Sequence, residues 1–165
     1  MAHEANHPVR TSEKTITLIK ELRGRNGARI HELEGSLDMT KGAIHNHLST
    51  LREHGLVTKD GDEYRLSLAF LTLGGHVRSN YELYNYGRPK ADQLANDTEM
   101  LVNLMIEEDG EGIYLYQSRG RHAVNLYTHV GYRVDLHATA LGKAILASMP
   151  RERVDEILDE QGLPK

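Results

Sequence analysis

A short segment in the first third of the chain, residues 30–55, restricts the possible folds more than any other. It reads IHELEGSLDMTKGAIHNHLSTLREHG. Its apolar residues recur at steps of three and four, the spacing of two short amphipathic helices. They are Ile30, Leu33 and Leu37, and then Ile44, Leu48 and Leu51. Only Asp38-Met39-Thr40 separates the two groups, so the segment predicts two helices joined by a tight turn, a helix-turn-helix.

The second of these helices carries signals at both ends. Thr40 is placed to accept a hydrogen bond from a free backbone N–H at the helix start. Gly55 stands where the helix should end, and glycine readily takes the left-handed conformation found there. The predicted helix therefore occupies the residues between them.

The second helix also has a polar outer face. With Ile44, Leu48 and Leu51 pointing inward, the outward positions are small or polar, with Lys41 at the entrance and His45 and Thr50 at the flanks. These positions are Gly42, Asn46 and Ser49. Small polar groups let a helix enter a DNA major groove, and asparagine can pair with the N6 and N7 edge of adenine. A solvated face on an ordinary helical hairpin explains the same pattern.

A hairpin is predicted directly after this helix. Residues 56–59 and 63–66 have β-forming composition, and the Asp60-Gly61-Asp62 sequence between them is a strong turn signal. A two-stranded hairpin after such a helix is the wing of a winged helix. Its candidate phosphate contacts are Lys59 and Arg65.

A helix on the other side completes the predicted three-helix core. Thr11 or Ser12 can cap a helix that begins near Glu13, and Ile16, Ile19 and Leu22 form its buried stripe. Residues 1–10 are polar and predict a disordered arm. Such an arm can touch a minor groove, although most N-terminal tails contact nothing.

The remaining chain predicts an α+β arrangement. A helix over residues 68–80, interrupted by Gly74-Gly75, has an apolar side that either packs within the chain or forms a dimer. A second helical stretch is expected at 81–97, where Pro89 either starts a new helix or kinks a longer one. From Met100 the apolar period is two, which predicts strands at 101–107 and 113–117 and a third candidate at 123–129. Helices are expected at 137–147, capped by Thr139, and at 151–160.

Composition excludes several classes of site. The chain has no cysteine, so a disulfide, a zinc–thiolate site or a thiol nucleophile is impossible within it. No apolar run approaches a bilayer span and no signal-peptide core is present, which leads us to expect a cytoplasmic protein. Residues 1–68 balance ten basic against ten acidic residues, while the rest carries ten and fourteen. A balanced DNA-binding unit would hold phosphate weakly and would need a dimer.

The helix after Thr139 is a candidate ligand site, though every helix has a comparable end. A helix start offers free N–H groups and a positive dipole end to a carboxylate or phosphate. Ala140 and Gly142 are small enough to let a ligand reach the backbone. Lys143 one turn later is interpreted either as a catalytic lysine or, more commonly, as a solvated charge.

The order of elements resembles the IclR family of transcriptional regulators. Three blocks carry the likeness: LDMTKGAIHNHLSTLREHGLVTKDGDEYRLS, LAFLTLGG, and LHATALGKAILASMP at residues 136–150. The resemblance covers residues 12 to about 163. It implies an arm at 1–11, a winged helix-turn-helix at 12–67, a helical dimerisation linker at 68–98, and a partial GAF-like effector-binding domain with antiparallel strands at 99–165.

The resemblance also implies site residues. The family's recognition helix often opens with Pro-Lys-Ser-Thr, whereas here Gly42 replaces the serine hydroxyl, which shifts the expected contacts toward Lys41, His45 and Asn46. The expected DNA-binding set is Thr40, Lys41, Gly42, His45, Asn46, Ser49, Arg52, Lys59 and Arg65. The expected effector-binding set consists of the backbone at Ala140 and Leu141 together with Met105 and Leu126.

The family's effector domain is about twice as long as the part of this chain beyond the linker. We therefore expect either a fragment or a short member that covers the exposed sheet by pairing, with an incomplete pocket in both cases.

These observations predict a regulator that binds a double-stranded operator, responds to a small carboxylate, forms a dimer or a tetramer built from dimers, and uses no cofactor and no membrane. The alternative is a winged helix used for protein contacts, which the balanced charge of residues 1–68 favours. An enzyme is a third interpretation, suggested by Asp135 and the histidines at 122, 129 and 137. Their spacing matches no metal motif, and no nucleophile–base pair stands out.

Overall fold

The computed structural model describes residues 5–163, which divide into two compact units at residues 76 and 77. Each unit has its own core and is described by itself. Within the described residues, none of the helices combines the length and the apolar character needed to cross a bilayer.

The first unit consists of three helices and a small antiparallel sheet. In chain order its elements are α1 (Arg10–Arg25), β1 (Ala28–Arg29), α2 (Ile30–Glu34), α3 (Lys41–Glu53), β2 (Val57–Asp60) and β3 (Glu63–Leu66). The sheet has the order β1-β3-β2, with both pairs antiparallel. The predicted winged helix-turn-helix is therefore confirmed.

The core of this unit is formed by apolar side chains from all three helices and from the wing. Its buried members are Leu18, Leu22, Ala28, Leu33, Leu37, Ile44, Leu48, Leu51, Val57 and Tyr64. A contiguous cluster of this kind buries apolar surface from every element, which holds the short helices together.

Helix α1 differs from its prediction. It begins at Arg10, three residues before Glu13, and its N-cap residue Val9 makes no side-chain capping bond. The predicted stripe is also wrong at Ile16, which is exposed, because Leu18 and Leu22, four residues apart on one side, face the core. Of the predicted arm, residues 1–4 lie outside the described part of the chain.

The first helix of the helix-turn-helix is shorter than predicted. Helix α2 ends at Glu34, and Leu37 joins the core from the connection to α3, where its N–H donates to the Leu33 carbonyl at 3.0 Å. Strand β1 was not predicted, because two residues are too few to show a period. It extends the wing to three strands.

The second unit places helices against a three-stranded antiparallel sheet of order β4-β5-β6. Its elements after α4 (Ala69–Ser79), which spans the division, are α5 (Glu82–Thr98), β4 (Leu101–Glu108), β5 (Glu111–Arg119), β6 (Arg133–Asp135), a 3-10 turn (Leu136–Ala138), α6 (Ala140–Ala147) and α7 (Arg151–Gln161). The buried side chains are Ala91, Ala95, Met105, Tyr114, Leu115, Leu136 and Ile157. The α+β fold class is confirmed.

The third strand lies later than predicted. Residues 123–129 are not a strand; β6 covers only Arg133–Asp135. After β5 the chain is tied back to the start of β4, since Gly120 N–H donates to the Met100 carbonyl at 2.9 Å and His122 N–H to the Glu99 carbonyl at 2.7 Å. These bonds turn the backbone away from β5, which it rejoins at residues 131–132.

The predicted interruption of the helix at Gly74-Gly75 is absent, and Pro89 does not start a new helix. Helix α4 runs through Gly74-Gly75, although each glycine is about 1 kcal/mol less favourable than alanine in a helix. Helix α5 is a single helix that contains Pro89.

Candidate nucleic-acid interface

Helix α3 is capped at both ends by the residues predicted from the sequence, Thr40 and Gly55. The Thr40 hydroxyl accepts a hydrogen bond from the Ala43 N–H at 3.3 Å. At the other end Gly55 has φ of 70°, and the Gly55 and Leu56 N–H groups donate to the carbonyls of Arg52 and Leu51 at 3.0 and 2.8 Å. This pair of bonds is a Schellman motif, which satisfies carbonyls that the helix end leaves free.

The outer face of α3 is open along its whole length. Three buried residues, Ile44, Leu48 and Leu51, fix its inner face. The exposed residues include all the predicted contacts on this helix: Lys41, Gly42, His45, Asn46, Ser49 and Arg52. Within the described chain, neither Lys41 nor Arg52 forms an ion pair, so both cations are available to an anion.

Gly42 is not required by packing. A Cβ atom built at this position would have no neighbour within 4 Å. The open space leaves room for another molecule to approach the backbone at the start of α3, and it would also accept the serine hydroxyl that the resemblance leads one to expect.

The two predicted wing contacts lie on opposite faces of the hairpin. Lys59 is paired with Tyr64 and Thr58 with Arg65, and successive side chains of a strand alternate between faces. The Lys59 Nζ atom lies 5.3 Å from the centre of the Tyr64 ring.

Arg65 is already engaged with a carboxylate. Its Nε donates to Glu63 Oε1 at 2.9 Å. This hydrogen bond lowers the pKa of Glu63 and raises the pKa of Arg65. Both side chains also lie against Gly27, where a Cβ would come within 2.8 Å of Arg65 Cγ. Arg65 therefore packs against the turn that follows α1.

A concave surface lies between the end of α3 and the wing. It is lined by Ser49, Arg52, Glu53, Gly55, Val57, Thr58 and Lys59. The surface brings together three predicted contacts, Ser49, Arg52 and Lys59, but not Arg65. Glu53 lies among them, and its negative charge opposes phosphate there.

His47 was not among the predicted contacts. Its Nδ1 lies 2.8 Å from Thr15 Oγ1 on α1, and the imidazole is partly buried. Helical spacing predicts only that His45 and His47 face different directions. A bond between residues 32 positions apart leaves no local signal in a sequence.

In the second unit, the start of α6 has the predicted form. The Thr139 hydroxyl accepts a hydrogen bond from the Gly142 N–H at 3.0 Å. Gly142 is buried against the 3-10 turn, where a Cβ would collide with the Leu136 carbonyl oxygen. Ala140 is exposed and Leu141 partly exposed. The first N–H groups of a helix have no partner within the helix, so those of Ala140 and Leu141 can serve a ligand.

The other two predicted effector contacts differ in burial. Met105 on β4 is buried, with its sulfur near Gly112. Leu126 is exposed in the segment between β5 and β6.

The residues that suggested an enzyme are dispersed. His122 Nδ1 pairs with Glu99 Oε2 at 2.7 Å, and the His129 ring packs on Tyr132 with 5.4 Å between centres. Across residues 5–163, no three histidine or acidic side chains lie close enough together to hold a metal ion.

Two family models match the chain. The model described as "Bacterial transcriptional regulator IclR C-terminal" matches residues 75–165, and the model described as "Bacterial regulatory protein, arsR family" matches residues 13–59. The first match covers more than half of the chain, and the second covers most of the helix-turn-helix.

Curated relatives agree with these matches. The "Probable HTH-type transcriptional regulator ArcR" of Halobacterium salinarum is 36% identical over 149 residues, which is 88% of this chain and 57% of the relative. The "HTH-type transcriptional regulator KipR" of Bacillus subtilis is 28% identical over 155 residues, 93% of this chain and 62% of the relative. The chain thus spans about three-fifths of the length of these relatives.

Solved structures share the fold. The IclR of Thermotoga maritima matches with a TM-score of 0.75 at 21% identity, covering 91% of this chain and 62% of that one. An IclR homologue from Microbacterium hydrocarbonoxydans, complexed with 4-hydroxybenzoate, matches with a TM-score of 0.74 at 17% identity, covering 88% and 62%. The resemblance inferred from the sequence is confirmed.

Proposed function

The chain belongs to the IclR family of transcriptional regulators, and from this premise we propose that it binds a specific DNA operator through α3 and responds to a small carboxylate. The DNA-binding part of this proposal rests on the contrast between the two faces of α3. Its inner face is buried in the core. Its outer face presents exposed polar or small residues and two cations that have no ion-pair partner in the described chain.

We propose that α3 enters the major groove with Asn46 and Ser49 toward the bases. Lys41 at the helix start and Arg52 near its end are placed to contact phosphates on either side. Thr40 caps α3 and so fixes its first turn. Gly42 leaves room for DNA to approach the helix backbone closely. His45 is exposed beside Asn46 and is a further candidate for a base or phosphate.

The wing supplies phosphate contact through Lys59. This residue shares the concave surface with Arg52 and Ser49. The Arg65 guanidinium is paired with the Glu63 carboxylate, whose negative charge offsets its attraction for phosphate, so we expect its removal to affect stability more than affinity.

The effector proposal rests on the start of α6. Backbone N–H groups of Ala140 and Leu141, at the positive end of the helix dipole, suit a carboxylate. The Microbacterium homologue complexed with 4-hydroxybenzoate supports this ligand class. We propose that Met105 and Leu126 contribute apolar contacts, and that the carboxylate makes the polar ones.

We propose that the regulator forms a homodimer, or a tetramer built from dimers, through its linker. We propose that residues 68–98 are a dimerisation linker, as the resemblance implies. They connect the winged helix at 12–67 to the effector domain at 99–165. Large apolar side chains in and beside α4 are exposed: Leu68, Leu71, Leu73 and Val77. Two chains would place two α3 helices on successive major grooves, which implies a near-palindromic operator.

We also propose where the protein acts and that it is not an enzyme. The proposed regulator acts in the cytoplasm and has no catalytic role; the relatives are named as regulators. The competing proposal is a winged helix for protein contacts, favoured by the balanced charge of residues 1–68.

Selection of bound duplexes from a randomised pool tests the proposal. A specific regulator enriches one near-palindromic sequence, and its affinity for that duplex falls as salt rises. If no sequence is enriched, and if the protein binds DNA weakly with an affinity that does not change with salt concentration, the protein-contact alternative would be favoured.

A further inference from the structure

We propose that His47 is a positioning residue for DNA recognition. Its hydrogen bond to Thr15 has a defined direction and fixes the orientation of α3 on α1. The inference rests on the proposed DNA-binding function. It assigns a role to a half-buried histidine of α3 that is not itself proposed to touch the bases.

The geometry centres on the Thr15 hydroxyl. Thr15 Oγ1 lies 2.8 Å from His47 Nδ1 and 3.0 Å from the carbonyl oxygen of Thr11. In the part of the chain that the structure describes, this is the single side-chain hydrogen bond between α1 and α3. The core side chains that the two helices share, among them Leu18, Leu22, Ile44 and Leu48, pack without a preferred direction.

One arrangement of the protons forms both of these hydrogen bonds at once. A hydroxyl has one hydrogen, and a carbonyl oxygen can only accept, so the Thr15 hydroxyl donates to Thr11. The hydroxyl oxygen must then accept from His47, whose Nδ1 carries the hydrogen. Neutral His47 is therefore held as the Nδ1–H tautomer, and its Nε2 remains an acceptor.

The bond acts close to the recognition surface. Together with Thr11, Thr15 and His47, the side chains of Asn46 and Thr50 line one cleft of about 210 Å³ between α1 and α3. A change in the rotation of α3 about its axis would move Asn46 directly. Base readout depends on hydrogen bonds that weaken steeply with poor geometry, whereas phosphate contact tolerates small shifts.

Four substitutions separate positioning from folding. Thr15→Val and His47→Leu each remove one partner of the bond. Thr15→Ser keeps the hydroxyl, and His47→Asn keeps an N–H donor at nearly the same distance from the backbone. Affinities are measured by fluorescence anisotropy for the duplex that the wild-type protein selects and for a scrambled duplex of the same composition.

The expected result is a selective loss. Thr15→Val and His47→Leu should bind the selected duplex about three- to tenfold more weakly, the effect of one hydrogen bond, and the scrambled duplex within about twofold of wild type. Thr15→Ser and His47→Asn should stay within about twofold of wild type on both. Thr15→Val combined with His47→Leu should lose no more than either alone, because both remove the same bond.

Three outcomes would overturn the inference. Unchanged affinity for the selected duplex in both disrupted variants would show that the bond does not position α3. Equal losses on both duplexes, with a lower unfolding temperature, would assign the pair to folding alone. A wild-type protein that binds both duplexes equally would remove the proposed function itself, and the inference with it.

The nitrogen resonances of the His47 ring give an independent test. Nitrogen-15 NMR of the wild-type chain, with the His47 ring in its neutral form, should show a protonated Nδ1 and an unprotonated Nε2, and Thr15→Val should lose this fixed assignment. A neutral ring that carries its proton on Nε2 in the wild type would contradict the proton arrangement on which the inference depends.

Discussion

Lys59 of β2 lies opposite Tyr64 of β3, with its ammonium nitrogen 5.3 Å from the centre of the tyrosine ring. Arg65, the next residue after Tyr64, projects from the other face and holds the Glu63 carboxylate. The wing therefore has one cation without an ion-pair partner in the described chain and one that is paired with a carboxylate.

Replacing the two wing cations should have different consequences. Lys59→Gln should weaken binding to all DNA sequences alike and lower the slope of log affinity against log salt by about one, because one phosphate contact is lost. Arg65→Gln should change the slope little. Salt titrations of both variants check this, with Lys20→Gln on the exposed side of α1 as a control. A larger slope change for Arg65→Gln would contradict the assignment.

Removal of the α3 cap should destabilise the first unit. Thr40→Ala should lower the free energy of unfolding by about 1 kcal/mol, because the Ala43 N–H loses its acceptor. Thr40→Ser retains a hydroxyl and should remain close to wild type. Urea denaturation followed by circular dichroism measures both. Equal stability of the alanine and serine variants would mean that the cap does not hold α3.

Gly42 offers a test of close approach. Gly42→Ser and Gly42→Ala should both raise the free energy of unfolding, by about 0.5 and 1 kcal/mol, because both are better helix formers and the site is open. Only the serine adds a hydroxyl toward the groove, so it should bind the operator more tightly than the alanine variant does. Anisotropy titrations compare the two. Identical affinities would show that position 42 does not contact DNA.

The sequence was informative where local chemistry determines structure. The caps at Thr40 and Gly55 depend on neighbouring residues, and both were predicted. The face on which Lys59 lies depends on strand register. The turn was predicted at Asp60-Gly61-Asp62, but Asp60 belongs to β2 and pairs with Glu63, so the loop has two residues. The Thr15–His47 bond depends on how two helices pack. Residues 123–129 alternate like a strand, but distant bonds to residues 99 and 100 direct that segment elsewhere.

Asp92 makes the second unit sensitive to acid. Hydrogen bonds from Ser118 and Tyr116, at 2.7 and 2.8 Å, and the nearby charge of Arg88 lower the pKa of Asp92. A carboxyl with a lowered pKa in the folded state contributes stability above its unfolded pKa, and this contribution is lost as the pH falls through the folded pKa. Urea unfolding at several pH values should show a loss on acidification that is smaller in Asp92→Asn. An equal loss in both proteins would exclude Asp92 as a source.

The exposed apolar side of α4 should govern self-association. Leu73→Glu with Val77→Glu places two charges on one side of the helix and should shift the protein toward monomer in sedimentation velocity, because charge resists burial. Lys20→Glu, on the exposed side of α1 and outside the linker, is the control. A wild-type protein that is monomeric at all concentrations would contradict the dimer.

The most direct test of the central claim is the ratio of affinities for the selected duplex and a scrambled duplex, measured for wild type and for Asn46→Ala. A regulator that reads DNA through α3 should prefer the selected duplex by about 10³-fold or more. Asn46→Ala should reduce that preference by about 1–3 kcal/mol and leave binding to the scrambled duplex unchanged. Equal wild-type affinity for both duplexes, or a preference that survives the loss of Asn46 and also of Ser49, would contradict recognition by this helix face.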